Sequence, residues 1–462
     1  MSSQPRNDRD IIAWIYDKLS DAFNGRAPED DPTDERKSIF LLSLPGLSLN
    51  PNSYDPNHRP GRDEKTAQEN LTDLVDAIPL MKPQYVRTQK TVSSMYAQLL
   101  QTAKLPEDVE FEKNMEKAKE WEAYLYRDDG SKTPQYQQYL DGAKKYNEAV
   151  IEFNSILAGA KQADNFPDNW KNDLGPKAQA MVDKADNDWK ASGKRIIENV
   201  FDELNTISES LPTYSWSHAR DKFDRSALVS TTSATSYYPC SVMPNDWYTL
   251  LAQEQPDASR WTSINIQEGT DRTSLDNTFE STSTSIGGSG SYQLWSIGGG
   301  YSDQHKHTTE HSSSDDSKIN IDIKCLKVTI QRDWLDASLL EKKFWSMEGV
   351  PKYGWSTGSI EAANRRGEWS LIPTDFIVAR DIKITAGLSS SEQQLVTDAT
   401  HKEAHLSVGW GPFAISGSYS KDTAESHSTM TKSDNQWAIT CENPQIIGWI
   451  CTVVPAAPSI DG

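Results

Sequence analysis

The run "HKHTTEH" sets His305 and His307 two residues apart, with His311 four further on and Asp303, Asp315 and Asp316 nearby. On an extended strand, imidazoles at i and i+2 share one face, and a third histidine completes an open zinc or copper site. The competing reading is three solvated histidines on a polar tip; the corresponding place later in the chain holds only His427. In "HKEAH", Glu403 lies between His401 and His405, whereas a metalloprotease helix needs its acid directly after the first histidine. Asp333 and Asp336 stand among Trp334, Leu339, Leu340, Phe344 and Trp345. Paired acids beside aromatics suit a glycan site or a general acid and base. A short helix closing one end of a sheet, aromatics inward, is the plainer reading. No GxSxG, Walker loop or GxGxxG leads a strand into a helix, so no enzyme is expected and no catalytic residue is assigned. No cofactor is expected beyond that conditional zinc or copper.

The elements that would carry these residues sit in a strongly acidic chain. Over 462 residues, 47 Lys and Arg stand against 67 Asp and Glu, a net charge of -20. Such a balance repels phosphate backbones and excludes nucleic acid as an expected partner. "MSSQPRNDRD" has no basic stretch leading into an apolar one, so the expectation is a soluble protein, cytoplasmic or exported without a signal peptide. The longest apolar run near the end, Gln445 to Pro455, is too short for a spanning helix, which needs about 20 residues. Four cysteines without CxxC spacing read as buried free thiols.

The hydrophobic period changes along the chain. Residues 1–61 read as an arm with a short amphipathic helix, an apolar strand and a Pro/Asn-rich linker. From 62 to 211 the spacing is helical and predicts an elongated antiparallel bundle. Its clearest seam repeats every seven residues through Tyr136, Ala143, Val150 and Leu157, matched by Tyr139, Tyr146, Phe153 and Ala160. Thr133 can cap this helix and Pro134 suits its first position. A following helix slips register near Ser192 and Gly193. Residues 212–462 read as an antiparallel β-domain, making the expected class α+β in two parts.

The β-domain contains a repeat. Trp295-Ser296-Ile297-Gly298-Gly299-Gly300-Tyr301-Ser302 aligns with Phe413-Ala414-Ile415-Ser416-Gly417-Ser418-Tyr419-Ser420. Each is followed by a polar tip and a strand reaching "DIKC" at Cys325 or "AITC" at Cys441. Two copies of a strand meander, about 261–330 and 376–454, are inferred. In each copy the Gly-rich strand and the returning strand are expected to pair as a long amphipathic hairpin. One face would carry Trp295, Ile297 and Tyr301 with Ile319, Ile321 and Ile323; the second copy would carry Phe413, Ile415 and Tyr419 with Trp437 and Ile439. Each arm approaches the roughly 9 to 11 residues with which a tilted strand crosses a bilayer.

Two Ser/Thr/Gly-rich amphipathic segments with polar tips, separated by folded sequence, resemble the membrane-inserting segments of β-pore-forming proteins of the membrane-attack/perforin and cholesterol-dependent cytolysin type. Single hairpins of the aerolysin type are a looser likeness. In that superfamily the two inserting segments belong to one bent sheet. The resemblance implies a lipid membrane as partner and a homo-oligomer as the active form. The alternative is an assembly or scaffold protein whose hairpins pair between subunits by self-association.

Overall fold

The structure is a computed structural model that describes residues 8–24, 38–58, 60–61, 64–105, 111–161, 168–210, 212–253, 260–267, 279, 292–298, 319–342, 345–347, 355–359, 367–400, 407–416, 428–433, 436–441 and 443–456. It joins helices to antiparallel sheets, an α+β architecture.

The framework is an antiparallel pair of long strands, β9 (Asn320–Gln331) and β10 (Leu371–Ala386). The outer edge of β9 is shared by β7 (Thr262–Gln267) along its first half and β6 (Ser241–Met243) along its second. The outer edge of β10 is shared by β15 (Gln445–Val453) and then β14 (Gln436–Cys441). Beyond these, β1 (Ser38–Ser48) pairs with β15, and β13 (Ser428–Ser433) with β14. The expected N-terminal arm is therefore built into the sheet.

Period-two alternation sends β9 into two cores. Its first half buries Ile321, Ile323 and Cys325 on one face, and its second half buries Leu326, Val328 and Ile330 on the other. In β10 the register shifts between Arg380 and Lys383, and Asp381 takes a positive φ of 49°. That bulge reverses parity, so Ile377 and Ala379 before it and Ile382, Ile384 and Ala386 after it enter the same core. Arg380 secures the bulge: its guanidinium donates to the carbonyls of Leu250, Leu251 and Gln253 and lies over the Trp261 ring. Lys324 and Arg380 flank the Asp381 carboxylate at 2.8 and 3.2 Å.

One core is roofed by helices α2 (Ala67–Val75), α3 (Val92–Thr102) and α8 (Pro212–Arg225), with Trp216, Trp247, Trp334 and Trp449 buried in it. Residues 64–102, expected in the bundle, thus cover the sheet instead. They are interrupted by the strand pair β2 (Ala77–Pro79) and β3 (Arg87–Thr91). The remaining helices, α4 (Phe111–Glu122), α5 (Pro134–Lys161), α6 (Gly175–Ala191) and α7 (Lys194–Ser210), pack on one another. The heptad seam of α5 is visible as ring contacts: Tyr139 and Tyr146 on Trp189, Tyr136 and Tyr139 on Phe201, and Phe153 on Trp170. Thr133 caps α5, its hydroxyl accepting from Tyr136 N–H at 3.1 Å. The register slip at Ser192 and Gly193 is a turn between α6 and α7, where Gly193 adopts a φ of 87°.

The hairpin β4 (Leu228–Val229) and β5 (Ser236–Tyr237) is tied to α2 by one carboxylate. Glu69 accepts from Thr66 at the helix cap and from both the backbone and hydroxyl of Thr231. Burial alone would raise its pKa, but bonds from Ser230, Thr66 and Thr231 outweigh that and bring it from 4.5 to about 2. A folded value below the unfolded one gives stability that is complete above pH 4.5 and vanishes as pH falls through 2. Glu69→Gln should therefore cost about 2 kcal/mol at pH 7. Urea melts of both proteins should converge as pH is lowered toward 2.

Candidate functional site

A second, three-stranded sheet holds the repeated strands. Its centre is β11 (Ser407–Trp410), with β8 (Trp295–Gly298) on one edge and β12 (Phe413–Ser416) on the other. Trp295 and Phe413, the first residues of the two aligned Gly-rich segments, both stand opposite Trp410. Phe413 stacks beside Trp410 with centroids 6.4 Å apart. The Gly-rich strands are therefore partners of one central strand, and their returning strands β9 and β14 lie in the large sheet. Within the described residues neither copy forms the expected hairpin of incoming and returning strand. Burial accompanies this: all four residues of β12 and the first two of β8 are buried, so β12 lacks the wet face that a free hairpin presents.

The placement of the chain connections gives this arrangement its interest. β7, β9, β10 and β14 run side by side and antiparallel. Gln267 at the end of β7 faces Asn320, and Ala386 at the end of β10 faces Trp437. Thr385 in turn faces Asn320, so the connections 268–319 and 387–435 leave from the same end of the four strands. β8 belongs to the first connection; β11, β12, β13 and helix α11 (Ser390–Thr400) belong to the second. Pairing of β8 with β11 joins the two connections to each other.

Buried polar groups fix that join. Glu392, 1% exposed, takes the indole N–H of Trp295 at 2.8 Å and the backbone N–H of Ser389 at 2.7 Å. One carboxylate thereby caps α11 and binds β8 across the two connections. Gln445, fully buried in β15, accepts from Ala414 N–H at 2.6 Å and donates to the Ala414 carbonyl at 3.2 Å, copying a strand partner for β12. Ser428 donates to the Ile415 carbonyl at 2.5 Å. The sheets also meet at Gly409, where a Cβ would come within 2.4 Å of Pro45 and 2.6 Å of the Ser296 hydroxyl.

Of the residues singled out from sequence, Trp295, Ile319, Ile321, Ile323, Phe413, Ile415 and Ile439 are buried in one core, which Trp437 flanks half-buried. Ile297 is half-buried in β8. Tyr301, Tyr419 and the histidine set His305, His307 and His311 lie outside the described residues, as do His401 and His405. Among the described residues no group of three His, Cys, Asp or Glu could hold a metal. Cys325 and Cys441 end the "DIKC" and "AITC" runs of the two returning strands. Burial pushes both thiols up, Cys441 to about 11 with partial relief from Ser428, so neither forms a thiolate at neutral pH. No described helix is long and apolar enough to cross a membrane.

Glu392, Gln445 and the whole of β11 escaped the sequence reading. Two signals were present: Ser389-x-x-Glu392 is a capping box, and Gly411-Pro412 between apolar runs marks a tight turn, with Gly411 at a φ of 54°. In comparisons with protein families, characterised proteins and solved structures, nothing matches the chain. Glu392→Ala should raise amide exchange in Trp295–Gly298 and Ser407–Trp410 together, by about tenfold for a loss of about 1.4 kcal/mol, because the two strands share one sheet. Exchange confined to α11 would show that the carboxylate acts only as a cap.

Proposed function

We propose that the chain is a membrane-interacting, oligomerising pore-forming protein in which the connections 268–319 and 387–435 convert into two amphipathic β-hairpins. The observation that carries this reading is their common exit from one end of the β7–β9–β10–β14 unit. If each connection straightened, it would extend two strands that are already paired with antiparallel register. The four strands also present the required two faces. Ile264, Ile266, Ile321, Ile323, Ile382, Ile384 and Ile439 lie on the dry side. Asn265, Asn320, Asp322 and Lys324 lie on the wet side, where Asn265 donates to Asn320 at 3.0 Å. Extension with the same parity would keep Ile319, Trp437 and Ile439 of the returning strands toward lipid. Because Ile264, Ile266, Ile382 and Ile384 are even-numbered and Trp295, Ile297, Phe413 and Ile415 odd-numbered, each incoming strand would need one bulge, like that at Asp381, to bring them to the same face. Self-association closes the ring, since an open strand edge is not tolerated in hydrocarbon.

The helical bundle has a place in this scheme as a control on assembly, because α5 runs beside β7. The scaffold reading draws on one observation of its own. Strand β13 ends the sheet path, and its outer edge has no strand partner among the described residues, so a second copy could add there without meeting lipid.

A reversible lock across β8 and β11 tests conversion. Ile297 and Val408 are direct neighbours across β8 and β11, close enough for a disulfide. Ile297→Cys/Val408→Cys should leave dye in neutral-lipid vesicles when oxidised and release it when reduced, while the wild type releases it under both conditions. No release by the wild type across varied lipid, pH and proteolytic activation, from a protein that sediments as a defined oligomer, would favour the scaffold.

A further inference from the structure

The face of the large sheet that carries the small sheet also carries helix α1 (Asp8–Phe23). Ile12, Ile15, Tyr16 and Leu19 are fully buried there, and Ile11 nearly so. Unlike the neighbouring strands, α1 joins this face chiefly through side chains, since most of its backbone bonds are spent within the helix. Its contacts fall on both connections. The Asp8 carboxylate accepts the Leu294 N–H at 3.0 Å, and the Asp17 carboxylate accepts the Phe279 N–H at 2.6 Å. The Tyr16 ring stands edge-on to Phe279 at 5.3 Å and equally to Phe40 of β1, whose carbonyl takes its hydroxyl at 2.5 Å. At the turn between β11 and β12, Ile15 lies so near Gly411 that a Cβ there would be 3.6 Å from its tip.

These contacts bear on residues that the pore-forming reading requires to move. Leu294 directly precedes β8, and Phe279 lies between β7 and β8. As long as α1 holds their amides, the first connection cannot straighten. The second connection is tied to the first where β11 pairs with β8, and Ile15 packs in the same core as Val408 and Phe413. At its other end α1 is fastened to the large sheet: Ser38 donates to the Asn24 side chain at 3.0 Å, and Lys327 reaches the Phe23 carbonyl at 3.5 Å.

We propose that α1 is an autoinhibitory strap, and that its departure from the sheet precedes separation of β8 from β11. The proposal rests on the pore-forming reading for its purpose, but its mechanical content can be measured without a membrane. Removing α1 would bare Ile12, Ile15, Tyr16 and Leu19 together with the core beneath them, an apolar surface of the kind that binds lipid or a second copy. A device of this kind needs a helix that can detach without breaking a strand ladder, and α1 is built in that way.

The test uses the full chain and two variants with opposite effects. Asp8→Ala/Asp17→Ala removes both carboxylates; amide exchange at Phe279 and Leu294 should rise at least tenfold while Ile321 and Ile377 stay protected. Dye release from neutral-lipid vesicles should accelerate by a similar factor. Asn24→Cys/Ser38→Cys should form a disulfide that pins the end of α1, slowing release at least tenfold until it is reduced. Far-UV circular dichroism and melting temperature serve as folding controls. Unchanged exchange at Phe279 and Leu294 in the first variant, or its rise only in step with global unfolding, would overturn the strap. Selective exchange without dye release from any variant would leave the strap standing and remove the pore-forming reading.

Discussion

The pairing of β9 with β10 is the joint on which the rest of the molecule depends. Both strands exceed the usual five or six residues, and each accommodates two partners along its outer edge. A single flat stack of such strands would offer one core. Here β9 exchanges its buried face at Cys325 and Leu326, and the bulge at Asp381 reverses the parity of β10. One half of the sheet can then be roofed by helices while the other is roofed by the small sheet together with α1. Arg380 makes this geometry tolerable because a buried guanidinium at the bulge finds three carbonyl acceptors, an indole face and a carboxylate.

Local order was legible where one element's own residues determine it. Thr133-Pro134 opens α5, the heptad spacing of its aromatics reappears as ring contacts, and the apolar run at Ser38–Ser48 is a strand. Partner choice was not legible in the same way. Alternation in Trp295–Gly298 and in Ile319–Cys325 is equally compatible with a hairpin between them or with membership of different sheets, because period two specifies a face and leaves the neighbour open. What decides is β11, a four-residue strand whose sequence Ser407-Val408-Gly409-Trp410 carries little pattern of its own. Its centrality comes from Gly409, which admits Pro45 and Ser296 at close range, and from Trp410 between two aromatic partners.

The repeat is better understood in this light. Its two Gly-rich strands flank β11, while the strand pairs β7–β9 and β10–β14 stand next to each other in the large sheet. Small residues in β8 and β12 permit close sheet-to-sheet contact in the folded form, so their composition does not by itself argue for a lumen or for lipid. The topology adds something composition could not: two connections leaving one end of four consecutive antiparallel strands.

That topology also sets the energetic problem. Apolar residues such as Phe413 and Ile415 are fully buried, so membrane insertion would exchange one dry environment for another and gain little from the hydrophobic effect alone. The balance must then rest on polar groups. Glu392, Gln445 and Ser428 each make a bond to the small sheet, and each would need a new partner or water in its place once the sheet leaves. In the proposed conversion, new strand ladders between neighbouring copies would be the source of compensation, since they would satisfy backbone groups along both straightened connections. On the proposed pore-forming reading, assembly and unfolding of the small sheet would therefore be coupled energetically, and a monomer would have reason to keep the small sheet docked.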